Sequence, residues 1–153
     1  DDEFVASLPE IDETIEVGGY IEVLRPFPGL PSGVFAGGGL EVRTGVDGGH
    51  DGTLIIPKAG IRSIRDGRIL SADLAFTFTD DNYADTFFST PGFEAEGGLQ
   101  DIVLTLFGSV PVTENVSLQG VLGLNFYQGD AADSPITEED GDVFFGFGAT
   151  YSF

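Results

Sequence analysis

A chain of 153 residues with 26 acidic and only 6 basic side chains carries a formal charge of -20 and lacks the basic footprint that DNA or RNA binding needs. Cys, Met and Trp are absent, which excludes a disulfide framework, thiolate chemistry and cysteine metal sites. No apolar run approaches the roughly 20 residues of a membrane helix, and DDEFVASLPE at the N-terminus has neither the charged nor the apolar region of a signal peptide. The expectation is therefore that such a segment has been removed or that the true N-terminus is missing.

Excess charge of this size often means disorder, but 14 Phe and many Val, Ile and Leu fall in short alternating runs. About seven segments show a period of two, and none shows a convincing helical period. In the first, Ile15, Val17, Ile21 and Val23 oppose Glu16 and Glu22. In the second, Val34, Ala36, Leu40 and Val42 oppose Glu41 and Arg43. Ile55, Ala59 and Ile61 then oppose Lys58 and Arg62, and Leu70, Leu74, Phe76 and Phe78 oppose Ser71, Asp73, Thr77 and Thr79.

The fifth run sets Ile102, Leu104, Leu106, Val110 and Val112 against Thr105 and Ser109. The sixth, Val116 to Tyr127, sets Leu118, Leu122, Leu124 and Phe126 against Ser117, Gln119, Gly123 and Asn125. The last, Asp142 to Phe153, alternates Val143, Phe145, Phe147, Ala149, Tyr151 and Phe153 with small or polar residues, Phe144 excepted. Runs of about ten residues match strands that cross a bilayer at a tilt.

The connections alternate in length. PFPGLPSG, the tight RDGR at 65–68 and Thr113-Glu114-Asn115 fall at one end; VDGGHDG, the stretch 80–101 and the stretch 129–142 fall at the other, with residues 1–13. Long loops outside and short turns in the periplasm is the asymmetry of outer-membrane barrels. Charge repeats it, because the long-loop end takes most of the acidic residues, Asp101 and Asp142 among them, and all six Lys and Arg lie elsewhere. Such a surface could be bridged to lipopolysaccharide by divalent cations. The expected fold is thus all-β, a single antiparallel up-and-down transmembrane barrel domain over 1–153. Bacterial barrels have an even strand number with both termini in the periplasm, so seven strands predict that N-terminal strands are missing.

Within a barrel, the minority faces predict an interior ladder of Glu16, Glu22, Glu41, Arg43, Lys58, Arg62 and Asp73, whose opposite charges can pair across strands. The ladder either fills a narrow lumen as a structural device or lines a pore that selects by charge. A solvated face of a soluble sandwich is the competing reading. A lipocalin-like barrel would instead place the large apolar residues inside.

Catalytic patterns are weak. His50 is the only histidine and sits in a Gly-rich turn, where turn structure with Asx-type hydrogen bonds from Asp47 and Asp51 is the expected role. Asp130, Asp133 and Asp140, with Glu138, Glu139 and Asp142 nearby, could face a calcium ion but match no EF-hand spacing, so a solvated acidic loop is the simpler reading. No carboxylate pair stands out for glycoside hydrolysis, and the glycines at 37–39 and 97–98 lack the lysine of a phosphate loop. An enzyme and a cofactor are not expected.

Two resemblances bear on these segments. FFGFGATYSF, with Val143, Phe145, Phe147, Ala149, Tyr151 and the terminal Phe153, resembles the signal read by the outer-membrane barrel assembly machinery. The loop GDAADSPI, Gly129, Asp130, Ala131, Ala132, Asp133, Ser134, Pro135 and Ile136, resembles that of the MipA/OmpV family of MltA-interacting proteins. GGHDG at 48–52, DDNYADTFF at 80–88 and AEGGLQDI at 95–102 resemble family segments in the same order. The resemblance spans the chain as the C-terminal three-fifths or so of a typical member. It departs from members in lacking a Trp near a strand start and in its unusually acidic loops. It implies an outer-membrane protein of a Gram-negative bacterium in contact with lipid and lipopolysaccharide. For the family's namesake it implies a scaffold joining a lytic transglycosylase to a peptidoglycan synthase, acting through periplasmic surfaces, here 26–32, 65–68 and 113–115. Other members are regarded as porin-like or adhesive, so a narrow channel for small solutes is the alternative.

Overall fold

A computed structural model describes residues 13–153. The acidic residues Asp1, Asp2, Glu3, Glu10 and Asp12, assigned above to the long-loop end, lie outside the described residues. Seven strands follow in chain order: β1 (Ile15–Pro26), β2 (Val34–Asp47), β3 (Thr53–Arg65), β4 (Arg68–Thr79), β5 (Gly98–Pro111), β6 (Val116–Tyr127) and β7 (Gly141–Tyr151). They form one sheet in which every strand pairs antiparallel with its sequence neighbour, in the order β1 to β7. The fold is all-β, and among the described residues the sheet is open, with β1 and β7 at its edges.

Register follows from the turns. Asp66 and Gly67 both take positive φ, 50° and 72°, the backbone a two-residue turn needs to match the twist of its strands. Arg65 is therefore opposite Arg68, and each pair above follows in step. At the same end, Thr113 Oγ1 accepts from the Val116 amide at 3.0 Å and closes the β5–β6 turn.

Alternation then sorts the side chains. One face carries Ile21, Val23, Leu40, Ile55, Ile61, Leu70, Leu106, Leu122 and Phe126, all exposed. On β7 the same face shows Val143, Phe145, Phe147 and Tyr151, with Phe147 89% exposed. No second layer packs on it, and no large side chain among the described residues is fully buried. A water-soluble sandwich would hide this surface. The apolar face needs a hydrocarbon solvent instead.

Two helices interrupt the strands, although no helical period is visible in the sequence: α1 (Asp81–Phe88) and α2 (Gly129–Asp133). α1 has only eight residues and α2 five, too few turns for a period to accumulate. The local signal for α1 is Asp80, whose carboxylate accepts from the Tyr83 amide at 3.0 Å as an N-cap. β5 also begins at Gly98, four residues before the alternation from Ile102, because an irregularity in the β4–β5 pairing breaks the period there.

Candidate functional site

The second face of the sheet, opposite the exposed apolar one, is termed the inner wall. Pairing places Glu16, Glu22, Glu41, Arg43, Lys58, Arg62 and Asp73 on this one face: Glu22 opposite Gly39, Gly39 opposite Lys58, Phe35 opposite Arg62 and Gly60 opposite Asp73. Four of the seven join in a chain. Arg43 reaches Glu16 at 3.1 Å, its Nε lies 3.1 Å from Glu41 Oε1 without the alignment of a hydrogen bond, and Lys58 donates to Glu41. These groups are partly solvated, Arg43 at 40% and Lys58 at 46% side-chain exposure, so each pair stabilises by about 1 kcal/mol or less. Glu22, Arg62 and Asp73 form no ion pair among the described residues. They line a groove of about 450 Å³, floored by Gly37, Gly39 and Gly60, that also reaches Glu41 and Lys58.

Above this wall the long connections form a packed cap. It holds Ala84, Ala95, Ala131 and Ser134, each at most 5% exposed. The Asp81 carboxylate accepts from the Gly97 amide and Asp130 from the Glu96 amide, each at 2.8 Å. Ser89 Oγ accepts from the Ala95 amide at 2.8 Å, and Ser134 Oγ donates to the Phe88 carbonyl. α2 packs on β5 and on α1, which also touches β3.

His50 keeps the expected part in its turn, through the Gly52 amide, and in addition ties the cap to the wall. Its side chain is 1% exposed. The ring meets Tyr83 and Phe87 edge-on at centroid distances of 5.1 and 5.2 Å, residues four apart and so on one side of α1. Nδ1 accepts from the Gly52 amide at 3.2 Å; Nε2 therefore carries the proton in the neutral ring and faces Glu16 Oε1 at 3.2 Å. Among the described residues Asp47 and Asp51 supply no side-chain hydrogen bond to this turn. Gly52 is needed for the approach, because a Cβ there would overlap the backbone of Tyr83. Burial pushes the Tyr83 phenol above its ordinary value, and the negative charge of Glu16 adds to the effect.

Asp101 departs from its expected place. It is 7% exposed on the inner face of β5, opposite Thr77 and Tyr127, and is not part of the acidic loop surface. Asp130, Asp133 and Asp140 do not gather: no three His, Asp or Glu side chains among the described residues are placed to hold a metal ion, and Asp130 is engaged by the Glu96 amide. Val143, Phe145, Phe147, Ala149 and Tyr151 share the outward face of β7, opposite Leu124, Leu122, Gly120, Leu118 and Val116.

GGHDG, DDNYADTFF, AEGGLQDI and GDAADSPI, distant in the chain, thus meet in one cap. The sequence profile of MltA-interacting protein MipA matches residues 1–153. The chain belongs to the MipA family. This is a family of outer-membrane proteins of Gram-negative bacteria, in keeping with the exposed apolar sheet face. No curated protein and no solved structure matches the chain. Within this MipA-family chain the residues missed in the sequence are Tyr83 and Phe87. Only the i, i+4 aromatic spacing in DDNYADTFF hinted at them.

Proposed function

We propose that the chain serves as a structural scaffold of the outer membrane and engages a periplasmic murein enzyme of the kind named in the family's description, MltA. The observation that carries this reading is the turn end of the sheet. Phe27 and Leu30, 44% and 45% exposed, and Val112 at 58% stand there beside the exposed Arg25, Arg65 and Arg68. Exposed apolar side chains rimmed by charge are a usual form of protein-docking surface. The opposite end, by contrast, packs its aromatic side chains into its own cap. Sidedness follows from the short turns facing the periplasm, as in other barrels.

The test is retention of a lytic transglycosylase by the full protein in detergent extract. The wild type retains it, and a Phe27→Asp, Leu30→Asp double variant loses at least about tenfold, the loss of roughly 1.4 kcal/mol that one modest anchor supplies. A wild type that retains nothing refutes the scaffold.

The groove over Gly37, Gly39 and Gly60 favours a second reading, a narrow channel, because Glu22, Arg62 and Asp73 face it without ion pairs among the described residues. Reproducible conductance steps of the full protein in planar bilayers, altered by substituting Arg43 or Arg62, support the channel. A silent bilayer counts against it.

A further inference from the structure

Three of the six basic side chains stand on the outward, apolar face of the sheet. Arg65 is opposite Arg68 at the β3–β4 turn, and alternation from Ile61 and Leu70 puts both on that face. Arg25 follows Ile21 and Val23 onto it. All three are exposed. Like charges directly opposite one another in a sheet repel, and neither Arg65 nor Arg68 has an ion pair among the described residues. Asp66, in the turn between them, and Glu114, in the β5–β6 turn, pair with neither.

The apolar face is dented one row from this pair. Leu70 is opposite Gly108, Gly108 opposite Gly120 and Gly120 opposite Phe147, so the row loses its side chains over two strands. Leu106 and Leu122 stand above the gap, and Ser63, opposite Leu70 and two residues from Arg65, lines its continuation on β3. The resulting groove holds about 650 Å³, room for roughly twenty groups the size of a water molecule or a methylene at about 30 Å³ each. Neither glycine is required by the backbone, since neither has positive φ. A Cβ at Gly120 would meet nothing closer than the Gly146 carbonyl at 3.9 Å, and one at Gly108 would rest on Leu70 Cδ2 at 3.5 Å. Gly37 and Gly39 on the inner wall, by contrast, have no space for a Cβ. What Gly108 and Gly120 provide is an empty trough on the face that meets hydrocarbon.

We propose that this groove seats an acyl chain of one anionic glycerophospholipid, whose phosphate lies at Arg65 and Arg68. A guanidinium presents paired N–H donors that match phosphate oxygens, and an anion held by both arginines relieves their repulsion. Basic side chains at a membrane surface attract anionic headgroups in general; the trough beside this pair adds a fixed place for the chain. The short turns face the periplasm, so the lipid belongs to the leaflet on that side. The long-loop end, where lipopolysaccharide lies in an outer membrane, is acidic instead. The lipid site is separable from the scaffold reading, because Gly108 and Gly120 take no part in the surface around Phe27 and Leu30.

Native mass spectrometry of the full protein in detergent micelles, titrated with phosphatidylglycerol or with phosphatidylcholine of the same chains, reads the site. One phosphatidylglycerol should be retained, and phosphatidylcholine, which has no net charge, more weakly. Arg65→Gln combined with Arg68→Gln should weaken phosphatidylglycerol binding by about thirtyfold, at roughly fivefold for each basic group. Gly120→Leu fills the gap and should weaken binding of both lipids by about tenfold, the effect of displacing roughly two methylenes, with retention of a transglycosylase unaltered. Gly108→Val fills the same gap and decides the matter if Gly120→Leu fails to fold. Loss in the arginine variant with none in either glycine variant shows that only the headgroup is held and overturns the groove. Equal retention of the two lipids by the wild type overturns the phosphate contact. Displacement of phosphatidylglycerol by equimolar lipopolysaccharide assigns the site to the other lipid and overturns the proposal, as does a wild-type dimer that Gly120→Leu dissociates, because a second copy then fills the gap.

Discussion

Replacing His50 by Ala tests whether the cap is held as a unit by one buried ring. The substitution removes two edge-on aromatic contacts, with Tyr83 and Phe87, worth about 0.5–1.5 kcal/mol each. It also leaves the Gly52 amide without the acceptor it has at 3.2 Å, a loss of about 1–3 kcal/mol for a buried donor. These terms overlap, so a combined effect near 3 kcal/mol is expected, or a little over a hundredfold in a local opening equilibrium at about 1.4 kcal/mol per tenfold. Glu16 keeps Arg43 as a partner at 3.1 Å and the strand ladders do not involve the ring, so the loss is confined to the cap. Hydrogen exchange read by mass spectrometry resolves the two regions. Amides of 81–88 and 129–133 should exchange about a hundredfold faster in the variant, while those of β5 and β6 stay within a few-fold of the wild type. Equal protection of 81–88 in both proteins refutes the latch. Uniform loss of protection across the sheet would show instead that His50 supports the whole fold.

Gly123 lies beneath the ring of Phe144, which a Cβ at 123 would overlap. Gly123→Ala should lower stability against urea in lipid by about 1–3 kcal/mol, and a further Phe144→Leu should recover most of it; an unaltered midpoint in the single variant contradicts the close packing. Asp80→Ala removes the α1 N-cap bond to the Tyr83 amide, and exchange in 81–88 should quicken by roughly fivefold, the equivalent of about 1 kcal/mol. Because burial raises the Tyr83 phenol, the closed cap holds a proton that the opened cap releases. Cap stability is then complete below the ordinary tyrosine value of about 10 and declines as pH rises through the folded value. Tyrosinate absorbance during alkaline titration should show this late phase, and Tyr83→Phe should lack it.

The strands were legible because alternation is a local property. Leu118, Leu122, Leu124 and Phe126 announce their shared face within a single run, and β6 has the bounds that alternation sets, Val116–Tyr127. The common face of Glu41, Arg43, Lys58 and Arg62 follows from the same period, but which of them touch does not. Arg43 lies between two glutamates of different strands, a choice made by register and side-chain reach. The irregularity in the β4–β5 pairing was invisible for a further reason. It breaks the period, and nothing in the sequence at that point marks the break.

The 153 residues by themselves determined an all-β sheet, its two chemically opposed faces, its alternation of short and long connections and its family. Each of these depends on neighbours a few positions apart. Only the tertiary structure decided that GGHDG, DDNYADTFF, AEGGLQDI and GDAADSPI fold inward onto one another, that the lone histidine is buried between two rings, and that Asp101 turns into the wall. His50 meets Glu16 across 34 positions and Ser134 meets Phe88 across 46. Contacts of that separation depend on where the sheet brings the chain ends of its strands, and no local pattern encodes that placement.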